Sequence, residues 1–189
     1  PRPGEAEEDL LEDDFAKAWI ETVLREQVGD RLDEIGIYPV SGDGNAVKTH
    51  LSHSTNPAVP FKSLCYIDGD SQQTEDSGRA IYRLPGAAPE LAVFNGVVAN
   101  LDHNIAVLTV ACQRPLAKQD EVRKSILSVS QTNRDPHLIF AQVGERLGLI
   151  PEATVRGAFL AVWAADHPAL ADEIAKAVRQ SLDQRGEQV

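Results

Sequence analysis

The run Ser63-Leu-Cys-Tyr-Ile-Asp-Gly-Asp-Ser71 constrains this chain more than any other segment, because a short apolar stretch halts at two acids one residue apart. Leu64, Cys65, Tyr66 and Ile67 are continuous and apolar, which predicts a strand buried on both faces in a parallel sheet. Asp68 and Asp70 then fall at the strand's end, with Gly69 between them and Ser71 behind. In open α/β sheets, ligand sites gather at the carboxyl ends of the strands. Two carboxylates this close repel, and a hard divalent cation with oxygen ligands, Mg²⁺ or Mn²⁺, would neutralise both. The same residues also make an ordinary Asp-Gly-Ser turn. The segment alone leaves both readings open.

The rest of the chain sets the expected architecture. Phe15, Trp19, Val23, Val28, Leu32 and Ile35 recur at helical spacing, so a long amphipathic helix is predicted over 14–35. Strands are predicted at 36–40, 64–67, 80–84 and 105–111, the last from its apolar, β-branched composition. Short helices fall near 45–51 and from Pro89 to about 99, with Pro89 as a first helical residue. This alternation predicts an α/β fold with a mostly parallel central sheet flanked by helices. From residue 116 the pattern is helical throughout, with helices expected at 117–130, 136–148, 151–165 and 168–184. The expected division is an acidic tail or cut end over 1–9, an α/β core over 10–115, and a helical extension packed on it over 116–189.

Charge narrows the function classes. The net charge is −11, and residues 1–34 carry 12 acids against 4 bases. Phosphate contacts require Lys and Arg, so a free-standing nucleic-acid binder is disfavoured unless metal ions or a companion domain supply positive charge. No apolar run approaches a membrane span and no signal-peptide pattern opens the chain, so a cytoplasmic protein without a membrane partner is expected. With no initiator Met, a fragment of a longer protein is expected. Cys65 and Cys112 both lie in apolar, strand-like runs and read as buried small hydrophobes, not as a disulfide or a zinc site. His50, His53 and His103 show no zinc spacing. Gly42-Asp-Gly44 lacks the Lys-Ser/Thr of a phosphate loop, so the chain carries no visible ATP site.

A second acidic group, Leu10-Leu-Glu-Asp-Asp14, precedes the first long helix, where acids are favoured by the helix dipole and read simply as N-terminal caps. Taken with the D-x-D, these acids suggest a compact oxygen-ligand site for metal-assisted phosphoryl transfer. Here the sequence resembles a known pattern. Glu12 before a helix, Gly42-Asp-Gly44 after a second strand and Asp68-Gly-Asp70 after a third look like a Toprim domain. Glu12-Asp-Asp-Phe-Ala-Lys17, Ile67-Asp-Gly-Asp-Ser71, Tyr82-Arg-Leu-Pro-Gly86 with Pro89-Glu90, and Asn133-Arg-Asp-Pro-His137 are similar to segments of the overcoming-lysogenization-defect (OLD) family of nucleases. In that family an ABC-type ATPase precedes a C-terminal Toprim nuclease.

The resemblance implies a Toprim-like core and a Mg²⁺- or Mn²⁺-dependent DNA endonuclease that hydrolyses phosphodiesters with a metal-activated water. It implies DNA and an ATPase domain, in the same or a companion chain, as partners, and a homodimer is expected. By position Glu12, Asp68 and Asp70 would be catalytic and metal-binding, with Asp14, Ser71 and Glu90 as further ligands. The pattern often places a second acid four residues after the glutamate, where this chain has Ala16. The family also supplies a late basic residue. Lys118, Lys124 and Arg134 are available, and Lys124 is the candidate taken here. His137 reads chiefly as a cap or surface contact. A different reading is a non-catalytic, Toprim-like scaffold whose C-terminal helices mediate dimerisation or bind a partner protein. Topoisomerase chemistry needs a nucleophilic Tyr, and Tyr38, Tyr66 and Tyr82 all fall in predicted strands.

Overall fold

A computed structural model of the chain describes residues 14–186. Most of them are helical, and the sheet among them is a single parallel pair. In chain order the elements are α1 (Asp14–Gln27), α2 (Asp43–Ser54), β1 (Cys65–Ile67), β2 (Ile81–Arg83), α3 (Pro89–Ala99), α4 (Leu101–Ala111), α5 (Gln119–Thr132), α6 (Ile139–Arg146), α7 (Glu152–Asp166) and α8 (Pro168–Gly186). The fold is therefore α/β in a helix-dominated form. The described residues divide into two compact units, one made of residues 14–89 with 168–186, the other of Glu90–His167.

In the first unit, β1 and β2 pair in the register Cys65–Ile81, Tyr66–Tyr82 and Ile67–Arg83. Parallel strands need a crossover of about a dozen residues or more, and Asp68 to Ala80 supplies it. Alternation along β1 sends Cys65 and Ile67 to one face, where they form a small core with Ile81 under Ala46, Val47 and Leu51 of α2. Tyr66 takes the other face and donates its hydroxyl to the Ile174 carbonyl of α8 at 2.6 Å. Helix α1 also packs on α8, burying Phe15, Trp19, Ile20, Val23 and Leu24. Arg179 of α8 donates to Gln27 at 2.8 Å and Arg31 donates to the Leu182 carbonyl at 3.1 Å, fixing the end of α1 and the turn beyond it.

The second unit is wholly helical. Its centre is a trio of rings, with Phe94 stacked on Phe159 at 5.4 Å and Phe140 edge-on to Phe159 at 5.3 Å. Val122, Ile126 and Val129 of α5 and Val143 of α6 are fully buried. Buried Asn104 donates to Asp166, joining α4 to α7. Gly96 allows close approach, since a Cβ there would lie 2.9 Å from the Trp163 indole. That indole in turn stacks on His167 at 5.1 Å.

Several expectations are corrected. Residues 105–111 form part of helix α4, not a strand. Residues 36–40 belong to no strand. The helix expected over 14–35 ends at Gln27 and is followed by a 3₁₀ turn at Gly29–Glu34. The strands observed are three residues long, so no extended central sheet exists among the described residues. Among those residues no single helix is long and apolar enough to cross a membrane, and the apolar pair α3 and α4 is bent by 114°.

Candidate functional site

The acid-bearing turn begins where β1 ends. Asp68 follows Ile67 directly, and the Ser71 amide donates to the Asp68 carbonyl at 3.2 Å, closing the turn. Asp68 and Ser71 are half-buried, and Asp70 is exposed. The Ser71 hydroxyl accepts from the Gln73 amide at 3.1 Å. Gly69 is required by packing, because a Cβ there would lie 1.9 Å from the Gly86 carbonyl oxygen and 2.6 Å from that of Ala87.

Two residues that the sequence did not mark as site members meet this turn. Asp43 opens α2, where its charge suits the helix N-terminus, and its Oδ1 lies 3.4 Å from the Asp68 amide. Its approach was legible only as the Gly42-Asp-Gly44 pattern. Arg83 ends β2 opposite Ile67, and its guanidinium donates to four carbonyls of the turn. Nη1 reaches Asp68 at 2.9 Å, Gly69 at 3.1 Å and Ser71 at 3.1 Å, and Nη2 reaches Gln73 at 2.5 Å. Nothing in the sequence signalled this clamp, which depends on strand register.

A cavity of about 610 Å³ in the first unit has Asp43 and Asp68 on its wall, together with Lys17, His53, Phe61 and Tyr38. Nearby, buried His50 lies 2.6 Å through Nε2 from the Arg79 carbonyl and 2.9 Å through Nδ1 from Ser63 Oγ. The carbonyl can only accept, so Nε2 carries a proton. His50 thus ties α2 to the two segments flanking the strands.

The other candidates are placed as follows. Glu12 lies outside the described residues. Asp14 is the first residue of α1, half-buried, in the same unit as the turn. Glu90 and Lys124 belong to the second unit. Glu90 is buried and its Oε1 lies 3.0 Å from His137 Nδ1, so His137 contacts a buried acid, and the cap of its turn is Asp135 instead. The His137 amide also donates to the Asp135 side chain at 3.1 Å. Lys124 is exposed on α5, Lys118 pairs with Glu121, and Arg134 donates to the Asn133 carbonyl. Tyr66 is committed to Ile174, and burial raises its pKa above the ordinary phenol value. Burial, with the Asp43 charge second, pushes the Cys65 thiol up to about 11, and burial alone pushes Cys112 to about 11.

For a divalent cation the donor chemistry is right, since Asp43, Asp68, Asp70 and Ser71 are hard oxygen donors. Among the described residues, however, no group of three or more His, Cys, Asp or Glu side chains is arranged to hold a metal ion. Asp43 and the turn therefore do not by themselves make a complete cation site among the described residues. Comparison with known protein families, with curated proteins and with solved structures finds no match to this chain.

Proposed function

We propose that this chain is a Toprim-like nuclease domain of the OLD type that hydrolyses DNA phosphodiesters with Mg²⁺ or Mn²⁺, working with an ATPase domain in the same or a companion chain. The observation that carries the reading is the Asp68-Gly-Asp70 turn at the carboxyl end of a parallel strand, with Asp43 brought beside it from α2. In α/β proteins that edge is where ligands bind. The proposal requires Glu12, from the segment before α1, to complete the ligand set. A divalent cation supplies electrostatic stabilisation of charge developing on phosphate oxygens. The acidic net charge fits a site that takes up cations first and polyanion second.

The test is nicking of supercoiled plasmid by the full chain with Mg²⁺ or Mn²⁺, comparing wild type with the Asp68→Ala, Asp70→Ala double variant. Loss of nicking in the variant supports the reading, and equal activity in both removes it. A second reading is a non-catalytic scaffold that dimerises or binds a partner; what favours it is an exposed apolar pair that lies ahead of the C-terminal helices, Val107 and Val110. These are 59% and 61% exposed and lie three residues apart on α4, hence on one helix face. Calorimetric titration with Mn²⁺ separates the two, because a scaffold shows no carboxylate-dependent binding.

A further inference from the structure

We propose that Arg83 is the positioning residue of the cation site, holding the Asp68–Gln73 turn in its ligand-presenting shape through main-chain carbonyls and not through the carboxylates. The inference rests on the reading of Asp68 and Asp70 as cation ligands.

Four carbonyls, from Asp68, Gly69, Ser71 and Gln73, converge on one half-buried guanidinium at 2.5 to 3.1 Å. Among the described residues no ion pair joins Arg83 to a carboxylate. Partial burial of a charge is costly unless hydrogen bonds replace its water, and here the turn's carbonyl dipoles do so. The geometry suits arginine alone. Its planar fork of donors spans acceptors on both sides of the turn, whereas a lysine ammonium is a compact charge that cannot reach all four.

Three consequences follow for the site. Carbonyls turned inward toward Arg83 cannot rotate without losing bonds, so the main chain between the two acids is fixed before any cation arrives. Because the guanidinium bonds to carbonyls, it does not occupy the carboxylate oxygens of Asp68 or Asp70. The register that places Arg83 beside Ile67 makes β2 the support for residues that follow β1. Residues that orient metal ligands without touching the metal typically contribute a factor of about 10 to 100 in metal affinity.

The experiment compares full-length wild type, Arg83→Lys, Arg83→Met and the Asp68→Ala, Asp70→Ala double variant. Mn²⁺ binding is followed by calorimetry, and plasmid nicking is followed as a function of Mn²⁺ concentration. The expected result for Arg83→Lys and Arg83→Met is Mn²⁺ affinity weakened on the order of tenfold or more. Nicking should be largely restored at saturating Mn²⁺, and the double variant should neither bind nor nick. A purely structural role would lower the melting temperature without moving the metal requirement. Wild-type Mn²⁺ titration in both Arg83 variants, with binding lost in the double variant, overturns the Arg83 proposal and leaves the nuclease reading standing. Wild-type binding and nicking in the double variant overturn both. Should both Arg83 variants fail to fold, NMR of the wild-type guanidinium decides. Separate, slowly rotating Nη–H signals are expected, and an averaged, freely rotating group overturns the clamp.

Discussion

Nδ1 of His137 stands 3.0 Å from Oε1 of Glu90, pairing a half-exposed imidazole with a carboxylate whose side chain is only 7% exposed. A carboxylate so far from water needs its hydrogen bonds. His137→Ala removes the imidazole partner of that carboxylate. The expected cost is about 1 to 3 kcal/mol, the penalty for leaving a buried acceptor short of a partner. Urea denaturation checks it, and an unchanged midpoint would show that the pair contributes nothing to stability.

Gly69→Ala places a methyl group against the Gly86 and Ala87 carbonyls. Main-chain atoms cannot swing aside like a flexible side chain, so the turn itself must shift. Overpacking of this kind costs about 1 to 3 kcal/mol. Thermal melting of the variant should show that loss, and, on the proposal that this turn holds a cation, Mn²⁺ calorimetry should show weaker binding in step with it.

Both cysteines are free and buried, and their thiols sit near 11. The thiolate is the reactive form, so neither should react with Ellman's reagent at pH 8 in the native state. Both should react once the chain is unfolded in guanidinium. The sign of the linkage follows from the same shift. A thiol whose native pKa is raised holds its proton longer in the folded state than in the unfolded one. Stability is then fully present below about pH 8.5, the ordinary thiol value, and falls as pH rises toward about 11. A denaturation midpoint that rises between pH 8.5 and 11 would contradict this.

Phe159 contacts both Phe94 and Phe140 at the centre of the second unit. Phe159→Ala should cost about 3 to 5 kcal/mol, the usual range for deleting a buried aromatic ring. Phe159→Leu should cost less, because it leaves a smaller void. Equal losses in the two variants would mean that the site collapses around either side chain.

The helices from residue 116 onward were legible because their apolar residues repeat at three and four with polar residues between. Residues 105–111 misled for a specific reason. Leu101, Asn104, Ile105, Leu108 and Cys112 are the buried stripe of a helix, but outward-facing Val107 and Val110 are also apolar and β-branched. With both faces apolar, the helical period disappears and the composition reads as a strand. At the candidate site, the turn after β1 was legible from its own residues. Arg83 was not, because its role comes from the pairing of two strands separated by a crossover, and no local pattern encodes that register. Asp43 lies between, visible as a glycine-flanked acid but without any sign of which turn it would meet.

The contact between Gly96 and the Trp163 indole has an evolutionary consequence. Any side chain at position 96 would enter space held by the indole, and the imidazole of His167 closes the same space from 3.1 Å. Substitutions at the two positions should therefore be linked across descendants of a common ancestor. Lineages with tryptophan at 163 should retain glycine at 96, and a methyl-bearing residue at 96 should appear only where a smaller ring or an aliphatic group has replaced the tryptophan.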